Sequence, residues 1–575
     1  MILSREQALE RIRKPRHIRD LERARRQESR LKFHAQISDN PYYTKDFGDE
    51  NWLNDRTSQP MNYYFQFLYW SKAILTAKDK FIQFANLLTF PIQTNDLIDT
   101  IADEYQKVFN AQDSYRGIKF KDSQQLTEYL DYLERHNDND FWRGQVFNAM
   151  LTSINSIIVV DLEQEQKGDR PEPYYYLLSI DRVIDVECNP EGDIEYLIFR
   201  DRENNIVVLD DAYYTVYSQT GEKFTRKVYS PHPLGYTPAK FMWNDALDDK
   251  NPYVKQSPIS SILSRLDWFL FMTTSKQCLD IYASFPIYWH FKDKCEVKEC
   301  KSGFIPYTMG DGVTPGLRAC PSCEKNSLVG PGSVIKVPAP RDSNSPDLSN
   351  PVGVLPAETT SLDYNVGEIE RLEAYIIEQA TGKAYGPTKQ QINEKQVVSL
   401  HESQSNILRY IGENYAIAQK WVYSTTAKLS FGDQFIGCDI NNGTKFYLQT
   451  QGEVTEEYRN SRDSGLPIYI LQAQRNQITE LQAKNNPTEK ERLEILKYLE
   501  PYQDNTIEEL KNLGVDITDP EGFVLKLNFS SFVNRFELEQ GNIIEWGSAL
   551  ELKTKIDKIN QVLRGYGTKQ SIPAG

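Results

Sequence analysis

No apolar run long enough to cross a bilayer occurs in this sequence. Its most apolar stretch is interrupted by Arg265, Asp267, Lys276 and Asp280, which excludes a lipid-facing helix there. The first residues also lack the apolar core of a secretory leader. Positive charge is in deficit, with 66 Lys and Arg against 81 Asp and Glu, a balance of −15. Such a chain is a poor candidate for tight wrapping around nucleic acid, which requires phosphate neutralisation. Cysteine is sparse. Seven copies, four clustered and three scattered (Cys188, Cys278, Cys438), fit a reducing compartment better than a disulfide scaffold. Catalytic signatures are missing as well. Gly382-Lys383 lacks the upstream glycine and following Ser or Thr of a phosphate loop, and His401-Glu402 has no partner His at helical spacing. The acidic groups Asp245/Asp248/Asp249 and Asp210/Asp211 read as solvated turns. No solenoid-type repeat is present.

Aromatic residues are plentiful, including 34 Tyr, and argue against disorder. The length of 575 residues leaves room for about three or four domains. The stretch from Ser257 to Gly382 organises the rest. Ser257-Pro258 reads as a helix start, and Ile259, Ile262, Leu263, Leu266, Phe269 and Leu270 follow at helical spacing. The pattern persists to about Ser284, predicting a rod about 40 Å long. A return helix is expected from Asp363 to Ala380, ending at Thr381-Gly382. Two short apolar runs, Phe285–Phe291 and Ser333–Val337, flank four cysteines between the rods.

Ahead of this hairpin, residues 1–32 hold eleven Lys and Arg against five Asp and Glu. The segment reads either as an arm for an acidic partner, through Arg11, Arg13, Lys14, Arg16, Arg23, Arg25 and Arg26, or as a solvated helix. Residues 42–55 read as linker. One aromatic-rich helix is expected from Met61 to Phe90, where Pro91 stops it, and others near 95–109, 123–136 and 141–152. Short β-branched and aromatic runs from Ile154 to Tyr229, separated by turn residues, predict an antiparallel meander closed by a strand at Ala239–Trp243. After Gly382 comes a polar loop, then a long helix from about Gln396 to Phe431. Strands are predicted at Lys445–Gln449 and Phe523–Phe529. Helices are expected at 467–483, 487–499 and 506–513, with a last one from about Phe536 to Leu563.

The cysteine cluster is the most specific chemical signal. Cys295-x4-Cys300 is followed after nineteen residues by Cys320-x2-Cys323. Two close thiol pairs on tight turns supply the four soft ligands of a tetrahedral zinc, and Gly303 and Pro321 provide turn chemistry beside them. Four thiolates leave no open coordination position, so the expected role is structural: a staple for an excursion too short to bury its own core. His290 is a nearby alternative ligand.

Taken in order, these elements resemble the portal proteins of tailed bacteriophages. His232-Pro-Leu-Gly-Tyr-Thr-Pro-Ala-Lys-Phe-Met-Trp-Asn244 is similar to the family's stretch where the meander ends. Pro331-Gly-Ser-Val-Ile-Lys-Val-Pro338 is similar to its clip exit strand, and Ile369–Gly382 to its second stem helix. The resemblance covers roughly residues 60–560; the cysteine cluster is not a general family feature, and the small-residue signal after the tunnel loop is missing from Val397-Val-Ser-Leu-His401. It implies an α+β fold made of a basic arm (1–40), a mixed helix and β-meander wing (41–256) and a first stem helix (257–288). A zinc-stapled clip (289–360), a second stem helix (361–382) and a tunnel loop (383–396) come next. A long helix with the wing return (397–450), a helical crown (451–564) and a flexible tail (565–575) complete it. It further implies a non-enzymatic, dodecameric homo-oligomeric ring at one capsid vertex of the virion, assembled in the bacterial cytoplasm. Partners would be the major capsid protein, the terminase packaging motor, head–tail adaptor proteins and double-stranded DNA in the channel, with no membrane. Lys383, Lys389 and Lys395 of the tunnel loop would face that DNA. Alternatives from other classes are a zinc-ribbon nucleic-acid-processing enzyme and a zinc-stapled interaction scaffold.

Overall fold

The computed structural model describes residues 1–35, 63–88, 91–111, 113–162, 170–248, 251–285, 287–291, 297–301, 304–308, 315–320, 334–337, 352–355, 359–383, 394–446, 451–483, 486–548 and 550–568. The linker expected over 42–55 and the end of the tail lie outside them, as does the strand predicted from Lys445 beyond Phe446. The protein is a mixed α+β chain of two compact units, Met1–Phe446 and Tyr447–Gly575.

The basic segment is a structural spine rather than a detached arm. Helix α1 (Arg5–Arg13) starts at a reciprocal Ser4–Gln7 capping box. Helix α2 (Ile18–Ala35) buries Leu21, Ala24, Glu28 and Leu31 at three- and four-residue spacing. Those residues enter separate cores. Leu21 and Ala24 join the sheet core, Leu31 the main helical core, and Phe33 an aromatic core. Charge counting saw only the solvent face of α2; its apolar stripe fixes the segment to the fold.

The helix expected from Met61 to Phe90 is broken into α3 (Tyr63–Ile74) and α4 (Lys78–Leu87). The break lets Phe67 and Phe84 share one core with Phe271, with the Phe84 and Phe271 rings 5.2 Å apart. A straight rod could not fold both aromatic runs onto the same site. Helix α5 (Gln93–Tyr105) runs into a 3-10 turn, and strand β1 (Tyr115–Phe120) follows. Next come α6 (Ser123–Arg135), a π-helical stretch at Phe141–Val146 and α7 (Phe147–Thr152).

The predicted single meander resolves into separate sheets. Strands β2 (Ile157–Leu162) and β3 (Pro173–Leu178) pair with β9 (Ala239–Phe241) in the order β3-β2-β9. Between them in sequence, β4 (Val183–Cys188), β5 (Ile194–Arg200), β6 (Ile206–Leu209), β7 (Tyr213–Thr220) and β8 (Lys223–Pro231) form an antiparallel meander. Alternation along β5 buries both faces. Leu197 and Phe199 enter the core that α2 joins, whereas Tyr196 and Ile198 meet Ala8 of α1. A hairpin of β10 (Ala246–Asp248) and β11 (Asn251–Lys255) leads to the stem.

Helix α8 (Leu263–Ser284) begins later than Ser257-Pro258 suggested. The Ser257 hydroxyl donates to the Met150 carbonyl at 2.9 Å, and a 3-10 turn at Ser260–Ile262 precedes the helix. The α-helical rod is therefore about 33 Å long. It leads into β12 (Ile287–Phe291). The hairpin of β13 (Phe304–Thr308) and β14 (Pro315–Ala319) comes next, then β15 (Val334–Val337) and β16 (Val352–Leu355). The two apolar runs flanking the cysteines pair in parallel, Tyr288 opposite Val334, and β16 lies antiparallel on the other side of β12. Helix α9 (Thr359–Thr381) returns against α8. The long α10 (Glu394–Phe431) and β17 (Phe435–Asn441) complete this unit, with β17 antiparallel to β1.

Among its described residues the regular elements of the second unit are all helices. It comprises α11 (Gln451–Asp463), α12 (Ile468–Gln482), α13 (Pro487–Leu499), α14 (Ile507–Asn512), a short helical turn at Val515–Thr518, α15 (Pro520–Leu527), α16 (Phe529–Gln540) and α17 (Leu552–Thr568). The strand predicted at Phe523–Phe529 is overturned. Asp519 caps the Gly522 amide and Pro520 takes the first turn, helix-start chemistry that outranks the alternation of Phe523, Leu525 and Leu527. The expected final helix is likewise cut, because Gly541 sits at φ +91°, a conformation that ends α16.

Candidate functional site

The stem hairpin is anchored at one end and open at the other. Near the body, Leu263, Leu266 and Phe269 of α8 and Ile376, Ile377 and Ala380 of α9 enter the main core. Arg265 ties the two helices, donating to the Tyr375 hydroxyl at 3.2 Å with its guanidinium over that ring. Farther along, Leu279, Ile281, Phe285, Tyr364 and Val366 are exposed, and Tyr288, Tyr307, Leu317, Val352 and Val354 continue that apolar exposure onto the small sheets. Among the described residues of the chain, these side chains are exposed.

The β13–β14 hairpin brings two of the predicted metal ligands to one end. The Cys300 amide closes a turn onto the Val297 carbonyl at 3.0 Å, and Lys301 then doubles back to Phe304. Phe304 is paired with Ala319, so Cys320, the next residue, leaves the hairpin where Cys300 enters it. Cys320 is fully buried and Cys300 half-buried. Cys295 and Cys323 lie outside the described residues, and among the described residues no three His, Cys, Asp or Glu side chains converge. Two thiols at one hairpin end fit the knuckle of a thiolate zinc site. His290 lies on β12, in the other small sheet. Cys188, Cys278 and Cys438 sit on three different elements. Burial pushes the thiols of Cys188 and Cys438 up to about 12 and about 11, which keeps both protonated and unreactive.

The predicted tunnel loop is shorter than expected, because α10 begins at Glu394 and already contains Lys395. Lys389 lies outside the described residues, and the Lys395 side chain is not among those described. Lys383 follows Gly382, whose amide reaches the Glu378 carbonyl at 2.8 Å. Its Nζ lies 3.3 Å from Glu104 of α5, and Glu104 also pairs with Lys107 at 2.6 Å. Burial alone would raise the Glu104 pKa, but the two lysines hold it below its usual value. The Lys383 charge is thus only partly compensated within the chain, because Glu104 is shared with Lys107.

The N-terminal cations are similarly divided. Arg25 donates to the Val183 carbonyl at 2.6 Å and to that of Ile180. Arg16 pairs with Glu187 at 3.2 Å, Arg13 lies over the Phe224 ring, and Arg26 is 3.9 Å from Glu22. Arg11 is half-buried, while Lys14 and Arg23 point to solvent. Arg13, Arg16, Arg25 and Arg26 are thus each engaged within the chain.

Sequence reasoning missed the buried polar junctions. Asp138 accepts from Trp142 Nε1 at 2.8 Å, the Tyr175 hydroxyl at 2.9 Å, the Tyr423 hydroxyl at 2.6 Å and Arg116 at 3.2 Å. His34 bridges Thr94 and Asp267, and Tyr63 and Arg30 bind the same carboxylate. The partners are distant in sequence, and no local motif announces them. No family model matches the chain, and no curated protein matches it.

Proposed function

We propose that this chain is the repeating subunit of a portal-type ring, the conduit through which double-stranded DNA enters and leaves a capsid. The observation that carries the reading is the half-anchored α8–α9 hairpin. It is rooted in a mixed wing, tipped by small strands and followed by a long helix, with apolar residues exposed along its outer half. Exposed apolar surface of this kind marks an interaction site. In a closed ring each subunit would cover its neighbour's hairpin through a heterologous contact.

In this reading the acidic balance lets the duplex slide, since each neutralised phosphate would add affinity and drag. The ring performs no chemistry of its own. It sits at a capsid vertex of the virion, contacting the major capsid protein, and meets the terminase motor and then the tail adaptor at the clip. Cys295, Cys300, Cys320 and Cys323 hold a structural zinc that stiffens the clip. Lys389 and Lys395, with the partly neutralised Lys383, face the channel. A subunit number of twelve follows from the resemblance alone.

Electron microscopy of the purified full chain tests the proposal. Rings with a central channel are expected; monomers at every concentration and salt would overturn it.

A further inference from the structure

A cleft of about 200 Å³ opens where β1, the π-helical stretch, α10 and the end of β17 meet. Its polar lining includes Arg116, Arg143, Ser114, Asn139, Gln419 and Asn441, and no described carboxylate lines it. On a chain with a net charge of −15, a concavity with two guanidinium groups and no acid is electrostatically distinct.

Both arginines are held in place by ring faces. Arg143 stacks over Phe109 at 5.3 Å and Arg116 over Tyr423 at 5.0 Å. Arg116 also touches Asp138 through one nitrogen at 3.2 Å. That carboxylate also accepts from the neutral donors Trp142, Tyr175 and Tyr423; its charge offsets that of Arg116, so Arg143 brings the cleft's net positive charge while Arg116 keeps further N–H donors. The Arg116 side chain remains 42% exposed. Arg143 stands on the π-helical stretch at Phe141–Val146, a rare conformation that recurs at functional sites.

We propose that this cleft binds a single phosphate-class oxyanion. Guanidinium groups on two different elements offer planar donor forks matched to phosphate oxygens. Side-chain amides of Asn139 and Asn441 and the Ser114 hydroxyl can satisfy the remaining oxygens. The volume admits a phosphate with a few waters. The ligand is free phosphate or one phosphodiester of a nucleic-acid strand. The proposal stands independently of the ring reading.

The test is calorimetric titration of inorganic phosphate into the full-length protein, with chloride at matched ionic strength as control. Arg143→Ala is the informative variant, because the residue is exposed and a cooperative melt checks its fold. Saturable binding at millimolar affinity or tighter, weakened at least tenfold in Arg143→Ala and partly restored in Arg143→Lys, upholds the site. A short DNA duplex that displaces phosphate from the parent chain assigns the phosphodiester as ligand; phosphate binding without displacement assigns the free ion. Absence of saturable phosphate binding, or equal binding by Arg143→Ala, overturns the proposal.

Discussion

His34 of α2 donates its Nε2 proton to Asp267 of α8 at 2.9 Å, and the ring is completely buried between them and Thr94. Burial keeps the imidazole pKa below its ordinary value. Although burial also acts to raise the Asp267 pKa, hydrogen bonds from His34 and Tyr63 and the charge of Arg30 hold that carboxylate below its usual range. The first helices and the stem are thus one buried junction.

Deleting residues 1–35 is therefore expected to abolish cooperative folding of the first unit, since it uncovers four cores at once. Leu31→Ala, a milder change, should lower stability by about 2–5 kcal/mol. Thermal denaturation of the purified chains checks both. A truncated chain that melts like the parent would show the segment to be dispensable.

Glu28 sets a pH dependence of opposite sign to the usual carboxylate. Burial pushes its carboxyl up to about 7, against the pull of Lys32 and the Asn155 amide, with Asp181 adding to the rise. Between the ordinary value of 4.5 and about 7, the folded state keeps a proton that the unfolded chain has lost. Stability consequently falls as pH rises through that window. Glu28→Gln should remove this decline and stabilise the protein at pH 8 by up to about 3 kcal/mol, with little effect at pH 4. Chemical denaturation at the two pH values is the measurement; equal shifts at both would refute the assignment.

Gly382→Ala should destabilise the junction of α9 and α10 by about 2 kcal/mol. The residue sits at φ +69°, and an added Cβ would lie 2.8 Å from the Ser403 backbone. Backbone cannot swing aside as a side chain can. Hydrogen exchange at the end of α9 should accelerate, and unchanged protection would contradict the geometry.

Metal analysis of protein purified without chelator should find about one zinc per chain. Cys320→Ser should lower that content and increase proteolysis between residues 285 and 338 while sparing the wing. A fully folded, metal-free preparation would remove zinc from the account.

Much of the fold was legible where chemistry is local. The strands from β4 to β7 were readable from β-branched runs and turn residues, and α13 lies at the expected 487–499, where Asn486 caps the Glu489 amide. What escaped was set by distant partners. Strand β1 has the short sequence Tyr-Arg-Gly-Ile-Lys-Phe and pairs with Phe435–Asn441 across the whole stem, so neither run announces the other. The apolar stripe of α2 was masked by its arginines. At the candidate sites, the CxxC spacing marked Cys320, but nothing near Lys383 foretold Glu104. Arg116 and Arg143 carry no local motif, and only the fold brings them to one cleft.

The pairing of β1 with β17 also fixes an order of events during synthesis. Ile118 waits for Cys438, and Phe120 for Phe431 and Phe435, whose rings lie 5.0 and 5.5 Å away. Those partners leave the ribosome only after the stem, the small sheets and the long helix have been made. Such a long-range closure is slow, and the nascent chain exposes the unfinished core throughout. Shelter by chaperones therefore matters most before β17 emerges, and a chain ending ahead of Phe435 is that vulnerable species made permanent.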